Sequence, residues 1–237
     1  MVDLVLNLYT NTLYQPIYNL VVLLYNFSPG PNLGWAIVIL AILVRLIFLP
    51  LTLKGYQTDS RLEKVSFQVR QIEDDIHFSS REKRNKITQV LKDNGINPLS
   101  EIYTLVGQLI FLAVLFQIVQ VGIHPSGFDK LYSFVAHPAG SIDTVFFGID
   151  ISRPSFIYSL VAAGILFLEQ LWEYEDKKNI PQATFSSRWY PLLLPIFTFI
   201  LLMLLPATKA IFLITSIAFS MGIRMMVDLG RGARENV

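Results

Sequence analysis

The 237-residue chain is 53% hydrophobic and only 16% charged, against about a quarter charged in a soluble domain. Its net charge of +1 offers no electrostatic footprint for nucleic acid. The absence of cysteine excludes disulfides, thiolate catalysis, thiolate-held metal and a lipidated N-terminal cysteine.

The apolar residues gather into long runs, which predicts an all-α, polytopic membrane protein. Residues 1–33 lack a basic n-region and an Ala-x-Ala cleavage site, so an ordinary signal peptide is not expected. Ile17, Leu20, Val21 and Leu24 recur at i, i+3, i+4 and i+7. This spacing predicts an N-terminal amphipathic helix in the outer interface, with Tyr18, Asn19 and Asn26 on its other side. Ser28-Pro29-Gly30-Pro31 then turns the chain.

A span needs about 20 apolar residues. Five segments qualify: residues 34–53, 97–121, 154–173, 189–205 and 210–228. The fourth holds Pro191 and Pro195, a composition suited to a kinked helix or one packed inside protein. Trp35, Trp172, Trp189 and Tyr190 fall at span ends, where amphipathic rings prefer the interface. No basic residue precedes Arg45, whereas the loop from Lys54 to Gly95 carries nine. Residues 122–153 hold only Lys130 and Arg153; Lys177, Lys178 and Arg188 follow, then Lys209, then Arg231 and Arg234. By the positive-inside rule the N-terminus is outside, and both the 174–188 loop and the 229–237 tail are cytoplasmic. The 122–153 loop and the short turn 206–209 then lie outside.

Residues 54–96 carry structure of their own. Leu62, Val65, Val69, Ile72 and Ile76 step by three and four, the spacing of a narrow helical seam. Ser79-x-x-Glu82 is a capping box, Ile87, Val90 and Leu91 share a face, and Gly95 supplies a stop. These signals predict a cytoplasmic antiparallel helical hairpin, Tyr56–Ile76 and Ser80–Asn94. It serves either as a solvated spacer or as a docking arm for a nascent chain, ribosome or partner.

The spans contain no Ser-Gly motif, HExxH pair or paired aspartates. The three histidines, His77, His124 and His137, sit far apart in loops, and no Gly-rich phosphate loop or internal repeat is visible. An enzyme, a metal site and a cofactor are therefore not expected. What remains is a set of polar groups within apolar runs. Arg45 lies about 16 Å below the outer end of the first span, and Glu169 and Gln170 about 22 to 24 Å below that of the third, at 1.5 Å per residue. Gln108 lies in the second span, and Thr215, Ser216 and Ser220 in the fifth. Either Arg45 pairs with Glu169 and fixes packing, or it faces a wet cavity and presents charge to something passing. The two roles are compatible.

"LYQPIYNLVVLLYNFSPG", "GWAIVILAILVRLIFLPLTLKGYQ" and "NGINPLSEIYTLVGQLIF" together resemble the YidC/Oxa/Alb family of membrane protein insertases. So do Gly148–Ser155, Leu205-Pro206-Ala207, Thr215-Ser216 and Phe219-Ser220. The likeness covers nearly the whole chain. It implies five transmembrane helices enclosing a hydrophilic groove that opens to cytoplasm and lipid, into which Arg45 projects. Gln108 and Gln170 match polar groove positions, with Glu169, Thr215 and Ser216 beside them. Leu62, Val65, Val69, Ile72, Ile87 and Val90 belong to the hairpin that engages substrates. The chain departs from the family pattern at Ser100–Thr104, Thr208, Phe212-Leu213, Ile217 and Glu169.

The resemblance implies nascent membrane proteins and lipids as partners, with the ribosome and the Sec translocon as further candidates. No cofactor, metal or directly bound nucleic acid is implied, and a monomer is compatible with it. With no transit peptide visible, the expected location is a bacterial plasma membrane. Two rival readings remain: a small-solute channel or transporter using Arg45 as an anion site, and a scaffold subunit without activity of its own. Solute flux in liposomes distinguishes the first, and a fixed partner bound to the hairpin the second.

Overall fold

The computed structural model describes residues 9–96, 129–138, 140–177 and 190–235. The expected second span, residues 97–121 with Gln108, lies outside the described residues.

A π-helical turn, Thr10–Tyr14, leads into α1, Gln15–Phe27. The buried side of α1 is rotated from the expected one. Ile17, Tyr18, Asn19, Val21, Val22 and Tyr25 are buried, while Leu20 and Leu24 are only half-buried. The reason is that α1 packs onto protein, against α2 and the 130–146 loop, and an inward Asn can be satisfied by backbone there. The Asn19 side-chain amide donates to the carbonyls of Gln15 (2.8 Å) and Lys130 (2.9 Å), and its oxygen accepts from the Tyr132 N–H at 2.6 Å. The Asn26 amide similarly donates to the Ala136 carbonyl at 2.7 Å.

Helix α2 runs unbroken from Leu33 to Asp74, 42 residues. The expected first span and the first arm of the expected hairpin are thus one rod, with no break at residues 53–56. Pro50 removes one internal donor but sits where the apolar run ends, and Gly55 costs a helix interior only about 1 kcal/mol. Past Asp75 the chain turns, leaving Ile76 89% exposed and outside the expected seam. Helix α3, Ser80–Asp93, opens on the expected capping box: the Ser79 hydroxyl accepts from the Glu82 N–H, and the Glu82 carboxylate from the Ser79 N–H. It closes on Gly95 in the left-handed region (φ 71°), with Gly95 N–H bonded to Lys92 and Ile96 N–H to Leu91, a Schellman motif. The buried Ile96 completes the seam with Val65 and Val69, against which Ile87, Val90 and Leu91 pack.

A two-residue-strand hairpin follows, β1 Val145–Phe146 and β2 Ile149–Asp150, antiparallel, with Val145 opposite Asp150. Then come α4, Phe156–Lys177, α5, Tyr190–Met203, and α6, Ala207–Glu235. Helix α6 packs against both α2 and α4, and α4 against α5. The small side chains Ala162 and Ala210 are buried at the contact of α4 and α6, where they let the backbones approach.

Leu33–Pro50 and Ala207–Leu229 are long and apolar enough to cross a bilayer; Phe156–Trp172 and Leu192–Met203 are shorter apolar helices. Helices α4 and α5 expose a row of large apolar side chains, among them Phe156, Ile157, Leu160, Leu193, Phe197 and Ile200. Water does not tolerate a contiguous face of this kind, whereas lipid does. The protein is a mostly helical membrane protein.

Candidate functional site

The loop at residues 143–153 sets the level at which three helices begin. The Leu33 N–H donates to the Asp143 carbonyl (2.9 Å), starting α2. The Ala207 and Thr208 N–H groups donate to the carbonyls of Arg153 (2.9 Å) and Ile151 (3.2 Å), starting α6. Helix α4 begins three residues after Arg153. Each of these donors belongs to a helix end that has no intrahelical partner to offer it.

Asn32 binds this loop tightly. Its side-chain oxygen caps α2 by accepting from the Gly34 N–H at 2.9 Å. Its amide donates to the Asp143 carboxylate and to the Val145 carbonyl, both at 2.8 Å. The Val145 N–H and then the Asn32 amide hold the Asp143 carboxyl below its ordinary range. The Ser152 hydroxyl and N–H, followed by the Thr144 hydroxyl, do the same for Asp150. Gly34 is required for close packing: a Cβ there would overlap the buried Phe146 ring.

Measured from this common level at 1.5 Å per residue, Ser216 on α6 lies about 14 Å down and Arg45 on α2 about 18 Å down. Glu169 and Gln170 on α4 lie about 20 to 21 Å down on the same rise. Ser216, Arg45 and the adjacent pair Glu169 and Gln170, on three different helices, therefore lie within about 7 Å of one another in depth. Among them, Arg45 Nε donates to Ser216 Oγ at 2.6 Å. Ser216 is buried, while Arg45, Thr215, Glu169 and Gln170 are half-buried. A guanidinium carries five N–H donors in a fixed fork, and the Ser216 hydroxyl engages one of them.

The hairpin residues are placed differently. Val65 and Val69 are buried against Ile87 and Val90, so these four hold the two arms together. Ile72 is half-buried. Leu62 lies on α2, its side chain outside the described residues. Among the described residues, Phe67 on this arm and Ile76 just past its end are exposed apolar side chains.

Arg224 and the burial of Thr208 and Lys209 escaped the reading of the sequence. Ser216, Ser220 and Arg224 follow one another at i+4 on α6 and form a polar stripe. Arg224, omitted from the charge count of the fifth span, lies with its guanidinium carbon 5.5 Å from the Trp172 ring centre. The i+4 spacing from Ser220, itself four positions after Ser216, was the signal that could have found it. Lys209 and Thr208, assigned to an external turn, are instead buried in the first turn of α6.

The sequence matches the family described as 60Kd inner membrane protein over residues 23–231. Among curated proteins it is similar to the membrane protein insertase YidC of Wolinella succinogenes, 24% identical over 66% of this chain and 26% of that one. It is also similar to YidC of Brucella melitensis, 23% identical over 79% of this chain and 31% of the relative. YidC of Fusobacterium nucleatum is 24% identical over 59% of this chain and 61% of the relative. The chain spans only about a quarter to a third of the length of the first two relatives. On the family match, which runs through most of its length, the chain belongs to the 60Kd inner membrane protein family, the YidC/Oxa/Alb family.

Proposed function

We propose that this protein inserts nascent membrane proteins, drawing short hydrophilic segments into a polar groove and releasing their apolar helices sideways into lipid. The observation that carries the reading is Arg45, held at mid-depth by Ser216 yet only half-buried. The groove comprises Arg45, Thr215, Ser216, Glu169 and Gln170, with Gln108 contributed by the second of five spans. The N-terminus lies outside and the helical hairpin in the cytoplasm, as the distribution of Lys and Arg supports.

Every polar group of a translocating segment loses water partners in hydrocarbon, so a wet path through part of the bilayer lowers the barrier. A cation in a medium of reduced dielectric attracts an acidic residue. At a separation of 6 Å and an effective dielectric constant near 20 the attraction is about 2.8 kcal/mol, or roughly a hundredfold in occupancy. The substrate's own apolar helix then partitions into lipid, and membrane potential assists acidic tails. No bond is made or broken. The hairpin receives the substrate before entry. Since Val65, Val69, Ile87 and Val90 are spent on its seam, contact falls to Phe67 and Ile76 on its outside. Nascent chains are the partners proposed, with ribosome and Sec translocon as assemblies in which a monomer could act.

The test is insertion of cell-free-synthesised single-span substrates into proteoliposomes. Arg45→Ala lowers insertion of a substrate with an acidic translocated tail by tenfold or more, roughly 1.4 kcal/mol, and spares one with a neutral tail. Arg45→Lys retains most of it. Equal loss for both tails, or none, overturns the role given to Arg45. Solute flux without insertion would identify a channel instead.

A further inference from the structure

The hairpin turn at the Leu33 end of the molecule is built against its own backbone preference. The turn between β1 and β2 is of the two-residue type with positive φ at both central positions, which Asn-Gly or Gly-Gly supplies without strain. Here the positions are Phe147, with φ 47°, and Gly148, with φ 78°. A bulky side chain in the left-handed region is an outlier that the surroundings must impose or a function must reward. Packing does not reward it: Phe147 is 78% exposed, while its neighbour Phe146 fills the core against Gly34.

The position of the exposed ring identifies what covers it. Phe147 meets Trp35 edge-on, with ring centres 6.3 Å apart, and Trp35 itself is partly exposed. Trp35 stands in the first turn of the apolar run Leu33–Pro50. That turn marks the level where hydrocarbon gives way to headgroups, the depth at which aromatic rings are favoured. Val145, on the same hairpin, is also exposed. We propose that the β1–β2 tip is a lipid contact, with Phe147 seated beside Trp35 in the headgroup–acyl boundary of the leaflet at the Leu33 end. The occupant is phospholipid. The same loop bonds to the first turns of α2 and α6, so the contact fixes the height of those helices in the bilayer.

The chain has no cysteine, so an introduced one is a unique label site. Val145→Cys and Ser141→Cys, the latter on an exposed polar stretch of the same loop, are labelled with a polarity-sensitive fluorophore. The protein is reconstituted in phosphatidylcholine–phosphatidylglycerol vesicles carrying a spin label high on the acyl chain. The expected result is at least about twofold stronger quenching at position 145 than at 141, falling by about half when Phe147→Asn is added. Asparagine tolerates the left-handed region, so the turn persists and only the ring is lost. Equal quenching at the two sites, or no response to Phe147→Asn, overturns the proposal. A blue-shifted label at 145 without lipid quenching also overturns it, by assigning the tip to a second copy or another protein. None of these readings depends on insertion activity.

Discussion

Replacing Asn32 by Ala removes three interactions at once, and their sum can be worked from the structure. The cap to the Gly34 N–H at 2.9 Å is worth about 1 kcal/mol. The bond to the Val145 carbonyl at 2.8 Å contributes about 1 kcal/mol on the same mutational scale. The bond to the Asp143 carboxylate at 2.8 Å is charge-assisted, but Asp143 is exposed, so solvent screening brings it to about 1 kcal/mol as well. The expected loss is about 3 kcal/mol. Asn32→Asp keeps an oxygen for the cap and places negative charge at the helix N-terminus, yet sets two carboxylates against each other. It should lose about 2 kcal/mol. Reversible denaturation in mixed micelles, followed by helical circular dichroism, measures both. A loss below about 1 kcal/mol for the Ala variant would show that α2 is not fastened to the loop through Asn32.

Three further outcomes are expected. Gly34→Ala pushes a methyl group into the Phe146 ring and should cost about 1 to 3 kcal/mol, with partial rescue by Phe146→Leu; an unaffected denaturation midpoint contradicts the packing. Asp143 and Asp150 have depressed folded pKa values, so each contributes stability above its unfolded value near 3.9 and loses it as pH falls through the folded one. The thermal midpoint should therefore drop as pH goes below about 4, with a shallower slope in Asp150→Asn. Ser79→Ala breaks the capping box of α3 and should lower the local stability of residues 80–93 by about 1 kcal/mol, read by amide exchange.

What could be read from the sequence was whatever short-range chemistry determines. The capping box at Ser79, the Gly95 stop, and the pairing of Val65 and Val69 with Ile87 and Val90 are local patterns, and each occurs as expected. The orientation of α1 was not legible. Its buried side depends on a loop more than a hundred residues away whose backbone satisfies Asn19. Likewise the rod Leu33–Asp74 conceals the change from apolar span to hairpin arm, because helical hydrogen bonding is indifferent to which solvent surrounds the rod. For the candidate site, the polarity of Arg45, Glu169, Gln170 and Ser216 was visible. Which of them meet was not, since Arg45 and Ser216 are 171 positions apart. Arg224 was overlooked for a simpler reason: a cation near a span end reads as part of the flanking charge unless its i+4 relation to Ser220 is noticed.

The height of the polar layer follows from where the helices start more than from the contact between Arg45 and Ser216. A slip of one residue in α6 relative to α2 moves Ser216 by about 1.5 Å along the axis and rotates it by about 100°, away from the Arg45 fork. One hydrogen bond worth about 1.5 to 3 kcal/mol cannot by itself forbid such a slip in helices whose lipid-facing sides are uniformly apolar. The bonds from Leu33, Ala207 and Thr208 to the 143–153 loop can, because slipping would orphan either the Leu33 donor or those of Ala207 and Thr208, all on buried residues. The loop therefore acts as the ruler, and the polar residues occupy the marks it sets. Asn32→Ala should on this logic lower insertion of acidic-tailed substrates although it touches nothing in the polar layer. Arg45→Lys, which keeps the ruler intact, should be milder. If Asn32→Ala destabilises the fold by the expected amount and yet inserts such substrates at the full rate, the layer is positioned by its own contacts and the loop is only a lid.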